Sequence, residues 1–454
     1  MSDALLAHRP RLNPIAGPIL GEFLLTLTVA FAGLWLASHE SDAAGGAFGM
    51  VAQMQETMYV VFRVLAIGLG VVITQALGGG QVDAARRTAL GALGASTWAG
   101  LLVVASLLLG DDQALDALNA PDEVKTLAGP FLMLLAPAML LDAYNLSMAA
   151  ILRAHLHVKE SLRVMVVMHV THLVLAFVLM RGVGSWDGWG LNGYAVAMIV
   201  SRAIGLVLHL ALWKRLMRLQ PQPRDWVVIH WRLVRPVLRI GGPGAVVEVV
   251  YRAMFMVSLA STARLGVEAL ATHAYTLQIL KYVLLVSNSI GWATEIMVGR
   301  MVGAGELKKA DALVRKGVRN GLLASGGLAL LCALAAPWLM HAFTRDPAIV
   351  HAAQVLLWLS VLLETGRVFN LVLNGALRAT GDAIFPAVSC IASLLLVLGL
   401  GSFWMGRWFG LPGIWLVYAS DEWIRGMLIL WRWLKRGWLA QARSTQRRVR
   451  GNAG

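Results

Sequence analysis

The sequence predicts an all-α polytopic membrane protein with twelve transmembrane helices, arranged as two pseudo-symmetric six-helix lobes around a central cleft. Of its 454 residues, 58% are hydrophobic and only 14% are charged, whereas a soluble globular chain is near a quarter charged. Long apolar stretches recur along the chain, and its two halves resemble each other. Two cysteines exclude a disulfide scaffold, and the apolar excess argues against a soluble enzyme.

Twelve apolar stretches are each close to the ~20 residues with which a helix crosses ~30 Å of hydrocarbon. None shows the period-two alternation of a barrel strand. The predicted spans are Ile15–Ser38, Met50–Ala76, Thr88–Leu109, Leu127–Leu152, Val164–Met180, Leu191–Trp213, Ile240–Leu259, Ala269–Val298, Val318–Met340, Ala352–Leu377, Ala383–Phe403 and Ile414–Leu434. We therefore expect every span to be helical.

The distribution of basic residues predicts the orientation. If both termini are cytoplasmic, most of the 39 Lys and Arg fall on the inner side, as in Arg86-Arg87 and in the tail from Arg432 to Arg450. This is the positive-inside asymmetry. It explains the net charge of +14 by attraction to an anionic membrane surface, so no nucleic-acid partner is required. We expect a plasma (inner) membrane protein that contacts lipids.

The sequence matches itself at an offset of 225 residues. The matching elements are Gly17-Pro18 with Gly242-Pro243, Gln53 with Gln278, Gly78 with Gly303, Asn145 with Asn370, and Arg153 with Arg378, while the sixth helices align at an offset of 220. Six helices per half give both lobes the same orientation, as in transporters that rock two lobes about a site. The predicted domains are an N-lobe (1–218), a basic cytoplasmic linker (219–239), a C-lobe (240–437) and a basic cytoplasmic tail (438–454).

Several segments together resemble the multidrug and toxic compound extrusion (MATE) family of secondary transporters. They are Pro18 in helix one, Gln75 with Gly78–Gly80 after helix two, Val298–Gly305 after helix eight, and Asn374–Asp382 followed by Pro386 between helices ten and eleven. The resemblance covers nearly the whole chain in the right order. It implies export of organic cations or other amphiphiles, driven by inward proton or sodium flow through alternating access.

This sequence departs from the family pattern where the family couples its ions. The acidic residue of helix one falls on Gly33, the asparagine and aspartate of helix five fall on His172 and Ala176, and the helix-ten acid of sodium-coupled members falls on Arg367. The usual coupling residues therefore cannot be transferred to this chain. Other ionisable groups must take their place.

A charge at the centre of a bilayer costs from ~2.5 to more than ~10 kcal/mol, so buried ionisable residues are the first functional candidates. We predict the coupling groups among Glu22, Glu248, Asp142, Glu295, Asp421, Glu422 and His172. Glu248–Arg252, Asp421–Arg425 and Glu364–Arg367 each share one helix face, and the alternative for each is a neutralised pair. His172 could relay protons with His169, or both could be buried imidazoles bonded to a neighbour.

Glu22 has no basic residue after it on its own helix within the membrane. Burial disfavours the charged form of a lone carboxyl, which suits proton exchange. Glu248 lies at a similar distance beyond the repeated proline, so both lobes could present a carboxylate to a central cavity. The alternative is that Glu22 lies near the inner interface with its carboxyl in water.

We predict a substrate cleft lined by residues on the helices near the lobe interface. The candidates are Gln53, Glu56, Arg63, Tyr275, Gln278, Lys281, Asn288, Asn145 and Asn370. Glu56 and Lys281 occupy equivalent places in the repeat with opposite charge, so we expect them to attract each other when the outer side closes. Separate hydrogen bonding within each lobe is the alternative.

These patterns favour a proton-coupled antiporter that exports amphiphilic, cationic small molecules or drugs and acts as a monomer. We expect no enzymatic activity, no organic cofactor and no bound metal, since no catalytic or metal-binding motif is present. Protons are favoured over sodium because Arg367 replaces the sodium-associated acid. One alternative is sodium coupling. Another is a flippase for a lipid-linked precursor, which would need a basic cavity built from Arg63, Arg202, Arg252 or Arg367.

Overall fold

A computed structural model describes residues 12–117 and 121–451, and nearly all of them are helical. The first half comprises α1 (Asn13–Ser38), α2 (Asp42–Gly78), α3 (Val82–Ala117), α4 (Asp122–Ala154), α5 (Val158–Arg181) and α6 (Gly190–Leu212). A π-helical turn at Trp213–Met217 extends α6, and a 3-10 turn at Pro223–Trp226 precedes the next helix.

The second half repeats this pattern with more interruptions. It comprises α7 (Trp231–Ala263), α8 (Val267–Ala304), α9 (Leu307–Gly321), α10 (Gly327–Leu334), α11 (Ala336–His341), α12 (Pro347–Thr380), α13 (Ile384–Ser393), α14 (Leu400–Leu434) and α15 (Trp438–Gly451). A π-helical turn at Leu322–Gly326 joins α9 to α10, and another at Leu394–Gly399 joins α13 to α14.

Among the described residues, 11 helical segments are long and apolar enough to cross a membrane. The last, Ile384–Leu434, has 51 residues and would measure about 75 Å as one straight helix, far more than a bilayer needs. It is broken at Gly410, whose φ of 61° and ψ of −148° are not helical.

The chain folds back on itself at Gly410. A Cβ on Gly413 would lie 2.4 Å from the Met405 carbonyl oxygen, and a Cβ on Gly401 would lie 3.1 Å from Val417. These contacts pair residues on either side of Gly410 in antiparallel order. The segment is therefore two spans, and the prediction of twelve transmembrane helices is confirmed.

The chain forms two compact units. The N-unit comprises Gly21–Ile73 and Val82–Gly241, and the C-unit comprises Thr74–Gln81, Gly242 onward and the start of α1 up to Leu20. Each unit has its own apolar core, with Phe48, Phe131 and Tyr194 in the first and Trp415 and Tyr418 in the second. The last turn of α2 thus belongs to the C-unit, although it lies in the first half of the sequence.

Two segments predicted as a linker and a tail have regular structure. Helix α7 begins at Trp231, inside the segment 219–239 that the sequence predicts as a linker. The tail predicted at 438–454 is helical as α15 through Gly451, and its Ala442, Thr445 and Val449 are buried.

Inside the C-unit, α2 and α8 cross at their C-terminal ends through two glycines. A Cβ on Gly78 would lie 2.0 Å from the carbonyl oxygen of Arg300, and one on Gly303 would lie 2.0 Å from that of Gln75. The contacts are reciprocal, because both glycines and both carbonyls are related by the 225-residue repeat. The Gln75 amide also donates 2.8 Å to the Ala379 carbonyl at the end of α12. We call this contact the glycine crossing.

We predict that Gly303→Ala destabilises the protein by about 1–3 kcal/mol, because the new methyl group forces two backbones apart. Gly244→Ala on α7 is the matched control, since nothing lies within 4 Å of an added Cβ there, and it should stabilise the helix by up to about 1 kcal/mol. Thermal unfolding in detergent measures both. Equal melting temperatures for the two variants would contradict the crossing.

Candidate functional site

The centre of the N-unit is a buried ion pair between α4 and α6. Asp142 Oδ1 lies 2.8 Å from Arg202 Nε, and both residues are less than a tenth exposed. The Tyr59 hydroxyl on α2 donates a short hydrogen bond to the Asp142 carboxylate. Three helices are therefore joined at one carboxylate, and its charge is balanced by a single guanidinium.

Polar groups on the same helices extend this centre. The Asn145 amide donates 3.0 Å to the Arg202 carbonyl, and a His209 ring nitrogen lies 3.0 Å from the Asn145 side-chain oxygen. His172 packs edge-on against Tyr194 with 4.6 Å between ring centroids. His169 and His172 are buried as one alternative expected, but no hydrogen-bond partner among the described residues reaches either ring.

The helix-one position where the resemblance places an acid has no room for one. A Cβ on Gly33 would lie 2.7 Å from Phe48 Cζ and 2.8 Å from the Tyr194 hydroxyl oxygen. Phe48, Phe131 and Tyr194 pack together there, with ring centroids 5.0 to 6.1 Å apart. Aromatic packing thus occupies the place of the family's carboxyl, which explains why Gly33 carries no side chain.

The centre of the C-unit is a larger network between α12 and α14. Arg367 bridges the carboxylates of Glu364 and Glu422, with its Nε 3.2 Å from Glu422 Oε1. Arg425 also holds two carboxylates, Asp421 at 2.5 Å and Glu422 at 3.1 Å. Three carboxyl groups therefore share two guanidinium groups, which leaves one carboxyl in excess.

Neutral donors satisfy two of the three carboxylates further. The Asn370 amide donates 2.8 Å to Glu422, and the Ser393 hydroxyl donates 2.6 Å to Asp421. Glu364 is 0% exposed, and no hydrogen-bond partner among the described residues reaches its Oε2. Glu364 is therefore the least satisfied carboxyl in the network.

The two centres are related by the repeat with their charges exchanged. Asp142 on α4 corresponds to Arg367 on α12 at the 225 offset, and Arg202 on α6 corresponds to Glu422 on α14 at the 220 offset. Asn145 and its counterpart Asn370 each bond to the α6 or α14 member of the pair. The scaffold is thus repeated while the polarity is reversed, and only the C-unit carries the extra carboxyl.

The interpretation of Glu22 as a lone carboxyl is wrong. Arg153, at the end of α4, donates 2.8 Å to Glu22, and both side chains are less than a tenth exposed. In the second half Arg378 at the end of α12 binds Glu295 of α8 at 2.8 Å. The two arginines are equivalent in the repeat, but their acids are not, and the partner lies on another helix in each case.

The remaining coupling candidate, Glu248, pairs with Arg252 at 3.2 Å as its spacing predicts. Both side chains are about 30% exposed, unlike the centres described above. Tyr251 follows Glu248 by three residues and stacks on Phe255, which in turn stacks on Tyr418, with centroids about 6 Å apart. This face of α7 therefore combines an accessible carboxylate with aromatic rings.

The other cleft candidates lie on α2 and α8. Glu56 is 3.4 Å from Arg63 on its own helix, and its expected attraction to Lys281 stays a prediction. Gln53, Gln278 and Lys281 are exposed and Asn288 is half-buried, while Tyr275 stacks on Phe343 with ring centroids 5.3 Å apart. The two remaining cleft candidates, Asn145 and Asn370, belong to the buried centres.

Five residues that complete the two centres were not among the predicted coupling or cleft candidates. They are Tyr59, Arg202, Glu364, Arg367 and Arg425. Glu364, Arg367 and Arg425 were found from their helical spacing to another charge, and the sequence left open whether each pair is functional or neutralised. Tyr59 and Arg202 meet Asp142 only through tertiary packing, and no local spacing signals that contact.

Comparison with known proteins identifies the class. The MatE family model matches residues 18–178 and 243–402, two segments that begin at equivalent positions of the repeat. The chain therefore belongs to the MatE family, whose members are membrane transporters and not enzymes, and the predicted resemblance is confirmed.

Individual relatives match over almost the whole chain. It is 28% identical over 427 residues to the Bacillus subtilis transporter YisQ, itself uncharacterised, and the match covers 93% of each chain. It is 25% identical to the probable multidrug resistance protein NorM of Thermotoga maritima, over 97% of this chain and 96% of that one. The fold matches the bent form of the Vibrio cholerae MATE transporter VcmN with a TM-score of 0.83 at 18% identity, over 96% and 97% of the two chains.

We predict that Asp142→Leu destabilises the protein by about 3–5 kcal/mol, because it leaves Arg202 charged, buried and unpaired. The double variant Asp142→Leu/Arg202→Met should recover most of that loss. Lys309→Leu breaks an exposed pair with Glu306 and is the control, expected to cost no more than about 1 kcal/mol. Unfolding in detergent distinguishes them, and a double variant as unstable as the single one would contradict the pairing.

Proposed function

We propose that the protein is a proton-coupled antiporter that exports amphiphilic, cationic small molecules or drugs. The observation that carries the proposal is the excess carboxyl in the C-unit network, where Glu364, Asp421 and Glu422 share Arg367 and Arg425. An uncompensated negative charge inside a bilayer is costly. The network therefore favours taking up one positive charge, from a proton or from a cationic substrate.

Antiport follows because the proton and the organic cation compete for the same excess carboxyl. With a proton bound at Glu364 the network is neutral, and with the proton released it attracts an organic cation. A group that alternates between these two states couples proton entry to substrate exit, because both cannot be held at once. Binding of either the proton or the organic cation changes the net charge of the network between α12 and α14. This change biases the equilibrium between conformations.

The α7 face supports a cationic aromatic substrate. Glu248 supplies a partly exposed carboxylate, and the stacked rings of Tyr251 and Phe255 lie one and two turns further on. Aromatic faces attract organic cations. Names of relatives such as the NorM multidrug resistance protein agree with substrates of this kind.

Protons are favoured over sodium by the way the carboxylate oxygens are used. Sodium needs several free oxygen ligands, but Glu422 and Asp421 are already bound by guanidinium, amide and hydroxyl donors. Among the described residues of this network, the buried oxygens without a hydrogen-bond partner are Glu364 Oε2 and Asn370 Oδ1. Two such oxygens are fewer than a sodium ion needs, and the carboxylate of Glu364 can take up a proton.

A flippase for a lipid-linked pyrophosphate would need uncompensated basic residues. The arginines that could supply them lie against carboxylates: Arg202 against Asp142, Arg367 against Glu364 and Glu422, Arg252 against Glu248, and Arg63 against Glu56. This favours export of cations over flipping of anionic lipids. We further propose a plasma-membrane location with both termini cytoplasmic, from the distribution of basic residues, and a monomeric transporter without an organic cofactor.

We predict that Glu364→Gln abolishes proton-driven export of ethidium from proteoliposomes, with a fall of at least about ten-fold because the amide cannot exchange a proton. Glu268→Gln at the exposed start of α8 removes the same charge elsewhere and should retain wild-type transport. The measurement is dye efflux at a fixed pH gradient, with and without sodium.

Two results would contradict the proposal. Full transport by the Glu364→Gln variant would show that Glu364 does not take part in proton coupling. Transport driven by a sodium gradient alone, at equal pH on both sides, would assign the coupling ion to sodium.

A further inference from the structure

The C-terminal helix α15 is attached to the C-unit by a single stripe of residues. Trp438, Ala442, Thr445 and Val449 follow one face at helical spacing, and all are less than a tenth exposed. Trp438 stacks on Trp433 at the end of α14, with ring centroids 4.4 Å apart. Arg443 and Arg447 lie on the opposite, exposed face.

Helix α15 covers the C-terminal ends of three helices. Val449 lies over α2, since a Cβ on Gly79 would be 2.4 Å from its Cγ1. Gln446 lies over the end of α8, since a Cβ on Gly305 would be 2.2 Å from its Nε2. Thr445 donates 3.1 Å to the Thr380 carbonyl at the end of α12.

These three ends are the ends that meet at the glycine crossing. There Gly78 packs on α8, Gly303 packs on α2, and Gln75 bonds to Ala379. The last turn of α2 is therefore held by α8 and α12, and Gly79, which follows it, is also contacted by Val449. Helix α15 adds a contact to this turn that the glycine crossing does not provide.

We propose that α15 is a latch that keeps the last turn of α2 docked on α8 and α12. The significance of the latch rests on the proposed alternating access, since opening the latch would free the end of α2 from α8 and α12. Between Trp438 and the end of α15 the stripe consists mainly of Ala442, Thr445 and Val449, whose side chains are small. Undocking therefore exposes little apolar surface, and the latch can open and close.

Cysteine labelling tests the latch without requiring transport. In a background lacking Cys332 and Cys390, one reporter is Thr380→Cys, which lies under α15; the bond from Thr445 survives because it reaches the backbone carbonyl. The second reporter is Ala76→Cys in the last turn of α2, 7% exposed. A membrane-impermeant maleimide measures the exposure of each.

Val449→Asp places a charge against α2, and Ser444→Asp places the same charge on the exposed face of α15 as the matched control. We expect Val449→Asp to raise the labelling rate of both reporters at least about five-fold, since a lost contact shifts the local opening equilibrium. Ser444→Asp should leave both rates unchanged. Val449→Ala should act in the same direction more weakly, which keeps the test valid if the aspartate variant misfolds.

Each other outcome overturns the proposal. Faster labelling at position 380 alone would make α15 a cover that does not hold α2. Unchanged labelling at both positions would show that Val449 holds nothing. Either result would leave the proton-coupling proposal untouched, because the labelling assay contains no transport step.

Discussion

The cost of an unpaired charge in lipid is the constraint on which this structure depends. Isolated charges at the bilayer centre are too expensive to keep, so each acid in the two centres lies against a guanidinium group. The pairing in turn specifies which helices meet, as where Arg202 ties α6 to α4 and Arg153 ties α4 to α1. A buried pair adds little net stability, but removing one partner is strongly destabilising, so these pairs define the arrangement of each unit.

The internal repeat shows where the two units differ in charge. Equivalent positions carry an aspartate–arginine pair in the N-unit and an arginine–glutamate pair in the C-unit. The first is balanced, whereas Glu364 and Asp421 leave the second with one carboxyl too many. Duplication thus supplied two similar scaffolds, and the additional groups Glu364, Asp421 and Arg425 leave one excess carboxyl in the second. The aromatic packing around Gly33 excludes an acid from the place in the N-unit where the family pattern has one.

The sequence predicted those features that depend on local periodicity. The length of the apolar stretches predicted the spans, including the two spans that meet at Gly410. The 225-residue repeat predicted the two equivalent halves. Pairs such as Glu248–Arg252 could be predicted because both members lie on one helix. Contacts between helices could not be predicted in this way. Glu22 looked unpaired because Arg153 is 131 residues away in the sequence. The position of Arg202 beside Asp142 follows only from the packing of the helices. The role of Glu364 depends on the charge of the whole network, which no single helix reveals.

The most direct test of the central claim is the number of protons that purified protein releases when substrate binds. In weakly buffered detergent solution near neutral pH, a pH indicator should report release of about one proton per bound organic cation, because the excess carboxyl cannot hold both. The Glu364→Gln protein should bind the same ligand with no release. Binding by the wild type without proton release, or equal release by both proteins, would contradict the account.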